Sequence, residues 1–225
     1  MHIGVMSTSW PSSGRPWAGH FVRDLALELV DDETRVSVVA PQWSGYGALE
    51  QSDPLRCVGP ELKGAPGSLA SDLIAGVRAL FGLRRAAARL DVDLWLCHWW
   101  PTRFALSAKR PCLVVLHGSD VDLLARLPPF LRRWVGRRLH CVAVAEGLAE
   151  RYSRLTGQAR PPVCPLGARV SFGGLDTLPL EAREWAESDA RRVLTVARDD
   201  EGKGWRAVEG ARPLLPQVAW LGLKP

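Results

Sequence analysis

Two histidines stand at the ends of apolar runs: His98 closes LWLCH, and His117 follows CLVVL. An imidazole at the carboxyl end of a strand lies where α/β sheets bind ligands, and it can hydrogen-bond or exchange a proton near neutral pH. A strand-capping role is the plainer reading of His98. His117 is followed by Gly118, Ser119 and Asp120, a tight polar turn of the kind that carries function. No carboxylate or cysteine stands at ligand spacing to both histidines, so no metal site is expected. The stretch STSWPSSGRPWAGH, residues 7–20, runs from the first apolar run straight into a helical pattern. Gly19 there permits close approach of a ligand to backbone N–H groups, and the helix start beginning at His20 favours phosphate. The loop is neither G-x-G-x-x-G nor a P-loop, and a merely flexible connection is its alternative reading. Arg198 and Lys203 flank a turn in VARDDEGKGW. Guanidinium and ammonium can clamp a diphosphate there, although solvated charges are the commoner case.

These side chains need elements to hold them. Residues 3–6 form a short apolar run, and from Phe21 the apolar spacing becomes helical, with Phe21, Leu25 and Leu29 on one face and Val22 and Ala26 beside them. RVSVVA at 35–40 reads as a strand, residues 42–67 as a loop and 68–90 as a helix. LWLC, a short helix after Pro101, CLVVL, HCVAV and a helix over 146–155 follow. Strands alternating with helices predict an α/β, Rossmann-like parallel sheet of at least five strands with helices on both faces, over residues 1–160. The stretch 161–190, dense at its start in proline and glycine, reads as a linker. Residues 191–225 hold VLTVA, a helical stretch over 204–215 and VAWL. One such unit cannot cover both faces of its own sheet, so an incomplete second Rossmann-like unit is expected, with exposed apolar surface favouring self-association or a second chain.

Composition narrows the classes. The chain has 225 residues, 47% hydrophobic and 24% charged, which is ordinary for a globular protein. No apolar run approaches the length of a membrane span, and MHIGVMSTSWP reads as a buried strand rather than a signal peptide. Five cysteines without a C-x-x-C pair suggest reduced thiols in a cytoplasmic protein. The net charge of +5 favours an anionic partner. Arg126, Arg132, Arg133, Arg137 and Arg138 interleave with Phe130, Leu131 and Trp134, which fits an anionic membrane surface, nucleic acid or a solvated face. Nucleic acid is the weakest of these, since no known reading motif is present. Trp95, Trp99 and Trp220 fall in or beside strands and are expected in the core.

MHIGVMSTSWPSSGRPWAGHFVRDLALEL, VSVVAP, DVDLWLCHWWPT, LVVLHGSD, VAVAEGLAERY and VCPLG, in that order, resemble the amino-terminal half of family-four retaining glycosyltransferases, and LTVARDDEGKG resembles that family's phosphate-clamp turn. The resemblance implies a GT-B fold and transfer of a sugar, with retention, from a nucleotide-sugar donor to a glycan, lipid or small-molecule acceptor, without a metal. It places Gly19 near the donor phosphates, His117 on the transferred sugar as the catalytic contact, and Arg198 and Lys203 on the diphosphate. Ser119 and Asp120 would orient sugar or acceptor, with His20, His98 and Gly118 as further substrate contacts. The family's glutamate pair would lie beyond this stretch of sequence; Glu201 and Glu209 have its spacing but come too early. An acceptor bound to a membrane would hold the protein peripherally. The alternative is a non-catalytic acceptor-binding remnant, or one half of a split enzyme needing a partner chain.

Overall fold

Ile3, Val5 and Met6 are all buried although they alternate across one strand, so that strand has no solvent face and must lie inside a covered sheet. The computed structural model describes residues 1–15, 18–51, 53–62, 69–165, 191–196, 213 and 218–223. The chain divides into two units, Met1–Ala168 and Arg169–Pro225.

In the first unit the elements run β1 (His2–Ser7), α1 (His20–Glu28), β2 (Arg35–Val39), β3 (Gln42–Trp43), β4 (Arg56–Val58) and β5 (Glu61–Leu62). After these come α2 (Leu69–Ala88), β6 (Leu94–His98), a 3-10 helix (Trp100–Ala105) and β7 (Cys112–Leu116). Then follow α3 (Gly118–Arg126), α4 (Pro129–Gly136), β8 (Cys141–Ala143) and α5 (Glu146–Thr156). Six strands form one sheet in the order β4-β2-β1-β6-β7-β8, every neighbouring pair parallel. Counting those strands alone, this is the doubly wound 3-2-1-4-5-6 order, whose topological switch falls between the first and fourth strands, here β1 and β6.

The pleat sends alternate residues to opposite faces. Ile3, Val5, Val36, Val38 and Leu96 pack with Val22 and Ala26 of α1 on one face. Met6, Val39, Trp95, Cys97, Val114 and Leu116 pack on the other with Leu83 of α2, Leu124 of α3, Val135 of α4 and Tyr152 of α5. Gly4 pairs in register with Trp95, and a Cβ at Gly4 would stand 2.7 Å from the Trp95 ring. A side chain there would push the indole off β1 and loosen the switch.

Three expectations change. The buried face of α1 is Val22 and Ala26, while Phe21 is 45% exposed; the helix is rotated from the expected face because its short side chains pack against Ile3, Val5, Val36 and Val38 of β1 and β2. The expected loop over 42–67 contains β3, β4 and β5, and β4 is the edge strand of the main sheet; three residues are too few to show a period. Trp99 is only partly buried and takes φ 102°, outside the core that Trp95 joins at 0% exposure. All five cysteines are free thiols.

Beyond α5 the chain follows the edge of β8: Ala143 donates its N–H to the Pro162 carbonyl, and Cys164 donates to the Ala143 carbonyl. In the second unit β9 (Arg191–Val196) and β10 (Val218–Leu223) pair in parallel from Arg191↔Val218 to Val196↔Leu223. The helical stretch expected over 204–215 and the side chain of Trp220 lie outside the described residues.

Candidate active site

Ser7 and His98 end β1 and β6 and are partners in register, so His98 stands at the switch point, where open α/β sheets receive ligands. His98 is 2% exposed. Its Nδ1 lies 3.1 Å from Nε2 of His117, the residue that follows β7 and begins α3. The two rings stack at 22° with centroids 5.4 Å apart. Phe21, in the first turn of α1, sets its ring 4.9 Å from His117 and 6.2 Å from His98. The carboxyl ends of three adjacent strands, β1, β6 and β7, thus bring one aromatic ring and two imidazoles together.

Burial first, and then the neighbouring His117, push the His98 imidazole down to about 3; burial also lowers His117. Both rings are therefore neutral at physiological pH, and one N–H between them makes the bond. Nε2 of His98 is buried with no partner among the described residues.

Asp120 acts behind this pair. It is fully buried. Its Oδ2 accepts the N–H of His117 at 2.7 Å and its Oδ1 that of Trp100 at 3.2 Å, while the Trp100 indole N–H donates to the Asp120 carbonyl at 3.1 Å. One carboxylate thereby ties the turn after β6 to the turn after β7. Burial outweighs those two N–H bonds and raises its carboxyl to about 6. Orienting a sugar directly, as expected of Asp120, needs an oxygen facing outward. Each oxygen accepts one backbone N–H, which anchors the turn that carries His117.

The described residues of the loop after β1 are anchored by hydrogen bonds. Ser13 donates to Ala48 O, Gly14 to Tyr46 O and Glu50 to Pro11 O, and the Trp10 indole donates to Glu50 O at 3.0 Å. Gly19 ends the loop with φ 68° and caps α1, its carbonyl accepting from Val22 and Arg23. A Cβ at Gly19 would run into the Ser9 carbonyl oxygen. Trp99, between His98 and the 3-10 helix, holds a positive φ that costs a bulky residue about 1–3 kcal/mol, the kind of strain that gathers at functional sites.

Of the expected residues, His98, His117 and Asp120 come together, and Gly118 and Ser119 lie exposed at the start of α3 beside them. His20 is exposed, its Nδ1 3.3 Å from Nη2 of Arg23. Arg198 and Lys203 lie outside the described residues. Sequence reasoning missed Phe21 and Trp100. Phe21 follows directly on the Gly19-His20 turn, which was the available signal; for Trp100 nothing in the sequence marks a bond to a residue twenty positions away. Among the described residues no group of three potential metal ligands occurs, and no helix is long and apolar enough to cross a membrane.

This sheet order, with its site at the switch point, defines a doubly wound, Rossmann-like α/β domain. Residues 18–171 match Glycosyltransferase Family 4, and the chain belongs to that family. No curated protein matches it significantly. Among solved structures it is similar to the sucrose-phosphate synthase of Thermosynechococcus elongatus, with TM-score 0.67 and 16% identity over 99% of this chain and 62% of that one. It is also similar to the E. coli trehalose-6-phosphate protein bound with UDP-2-fluoro glucose, with TM-score 0.60 and 13% identity over 100% of this chain and 65% of the other. A lipopolysaccharide outer core galactosyltransferase matches with TM-score 0.55 and 9% identity, over 100% of this chain and 68% of its own length. At these identities the likeness is one of fold, and the chain spans less than two thirds of the length of the first two.

Proposed function

We propose that the protein transfers a sugar from a nucleotide-sugar donor to an acceptor hydroxyl with retention of anomeric configuration, without a metal. The observation that carries this is the neutral His98–His117 pair beside Phe21 at the switch point. A hydroxyl-rich, uncharged ring suits such a place: imidazoles exchange hydrogen bonds with hydroxyls, and an aromatic face accepts the C–H side of a sugar. His117, the more accessible imidazole, contacts the transferred sugar, with His98 and Asp120 holding it in place. Gly19 and the start of α1 lie near the donor phosphates, and Gly118, Ser119 and His20 contact sugar or acceptor. Arg198 and Lys203 hold the diphosphate, whose developing charge fixed cations stabilise as the bond to the sugar breaks. The acceptor is a glycan, lipid or small molecule, met on the cytoplasmic side. The E. coli neighbour bound with UDP-2-fluoro glucose makes a uridine donor the first to try.

The test is turnover of a panel of nucleotide-sugars, with release of nucleoside diphosphate as the readout. Release that needs wild-type His117 supports the reading; binding of no donor and no nucleoside diphosphate refutes it.

A further inference from the structure

Two thiols take no part in the imidazole site, yet they meet each other beside it. Cys97 precedes His98 on β6, Cys112 opens β7, and their Sγ atoms are 3.4 Å apart. Cys97 is fully buried, while Cys112 keeps 8% of its surface open. Cys112 also borders a cleft of about 540 Å³ that opens away from the imidazole pair. Arg103, Lys109, Arg110, Arg137 and Arg138 line that cleft with it.

The charge around Cys112 has one sign. Residues 103–112 and 134–140, which supply the walls, contain no aspartate or glutamate. Arg103 donates to the carbonyls of Leu106, Ser107 and Ala108, and Arg110 to those of Ala87 and Leu90. Those bonds fix the two guanidiniums without neutralising them. Lys109 and Arg137 are exposed.

The thiolate is the nucleophilic form of cysteine, and fixed positive charge beside a partly open sulfur favours it. The hydrogen bond with Cys97 holds the Cys112 thiol below its usual range; burial opposes this and the Arg103 charge supports it. The same bond, with burial, holds Cys97 well above that range. Cys112 is therefore the nucleophile, and Cys97 keeps the S–H that bonds to it. The pair does not close on itself. Cys112 stands opposite Trp95 and Cys97 opposite Val114, an offset of two residues. With strands about 4.8 Å apart and a rise of about 3.3 Å per residue, the two Cα atoms are about 8 Å apart. A disulfide spans at most about 7 Å.

We propose that Cys112 is a thiolation site, which exchanges with a small anionic disulfide gathered by the cationic cleft. The Cys112 thiolate attacks one sulfur of that disulfide. A bond forms from Sγ to the attacked sulfur, and the disulfide's own S–S bond breaks. The departing thiolate leaves with the electron pair and takes up the proton that Cys112 gave away, so a mixed disulfide and one free thiol result. The incoming disulfide is the only oxidant. The site stands on the sulfur pair and the cleft, and holds whether or not sugar transfer occurs.

The experiment uses the full chain with its exposed thiol removed as Cys164→Ser. It is incubated with oxidised glutathione, which is anionic, or with cystamine, a cationic disulfide, and read by mass spectrometry of the intact chain and its peptides. Each rate is divided by that of the urea-unfolded chain, which removes the intrinsic difference between the two reagents. One adduct, on Cys112, is expected, with oxidised glutathione favoured over cystamine by about tenfold or more at low salt. Lys109→Glu with Arg137→Glu reverses two exposed charges and is expected to abolish that preference at an unchanged melting temperature. Cys112→Ser is expected to take no adduct. A folded chain whose Cys112 stays unmodified overturns the proposal, as does equal preference for the two reagents. A preference that survives the double charge reversal, or a Cys97–Cys112 disulfide in place of the adduct, also overturns it.

Discussion

Nδ1 of His98 lies 3.1 Å from Nε2 of His117, across the gap between two neighbouring parallel strands, with the His98 imidazole held down at about 3. The folded state therefore refuses a proton that the unfolded chain accepts near 6.5. Below that value the unfolded chain binds more protons, so His98 makes stability fall as pH drops from about 6.5 toward 3, by roughly 1.4 kcal/mol per pH unit. Urea unfolding from about pH 7 to about pH 4 measures this. The wild type should lose stability relative to His98→Gln across that range, and a constant difference between the two would contradict it.

Asp120 has the opposite sign. Its folded carboxyl, at about 6 against 3.8 in the open chain, takes up a proton in the native state first, so its contribution grows more favourable as pH falls from 6 to 3.8. Asp120→Asn should abolish that window. Asp120→Ala should do more harm at neutral pH, because the N–H groups of His117 and Trp100 lose their acceptor in a buried place; roughly 2–4 kcal/mol is expected. Thermal unfolding of both variants decides, with Asn predicted to lie between wild type and Ala.

Gly19→Ala should destabilise by more than about 1 kcal/mol, since φ 68° disfavours any Cβ and the Ser9 carbonyl blocks it as well. Denaturant midpoints measure the effect. A neutral result would mean that the loop after β1 relocates freely.

Phe21→Ala should separate activity from stability. The ring is 45% exposed, so truncation should leave the melting temperature within a few degrees of wild type, by about 1 kcal/mol or less. If the ring lines the sugar site, kcat/KM should fall at least tenfold, or about 1.4 kcal/mol. Unchanged turnover would make Phe21 mere cover for the imidazoles.

His117→Ala should lower kcat more than it weakens nucleoside diphosphate binding, whereas Arg198→Ala and Lys203→Ala should weaken that binding by about 1–3 kcal/mol each. Arg198 should show the larger loss if its guanidinium grips two oxygens at once. Calorimetry with uridine, guanosine and adenosine diphosphates reads the binding arm, and donor turnover reads the other.

The parallel sheet was legible from residues 3–6, 35–40, 94–97 and 112–116, because a strand buried on both faces must be apolar throughout and each run stops at a Ser, Pro or His. The placement of His98 and His117 at strand ends followed from the same runs. Strand β4 was not legible, since three residues with one buried position carry no period. Nor were α3, which is only nine residues long, and α4, where Arg132 and Arg133 interrupt the apolar spacing.

By itself the sequence determined the class of fold, the strand ends that bear imidazoles and the family to which the chain belongs, because those depend on patterns a few residues long. Tertiary structure decided how the parts meet. It turned Phe21 from the core toward two histidines and gave both oxygens of Asp120 backbone N–H donors from two different turns. Each outcome rests on contacts between residues distant in sequence, where packing and burial, not local preference, set which neighbour a side chain finds.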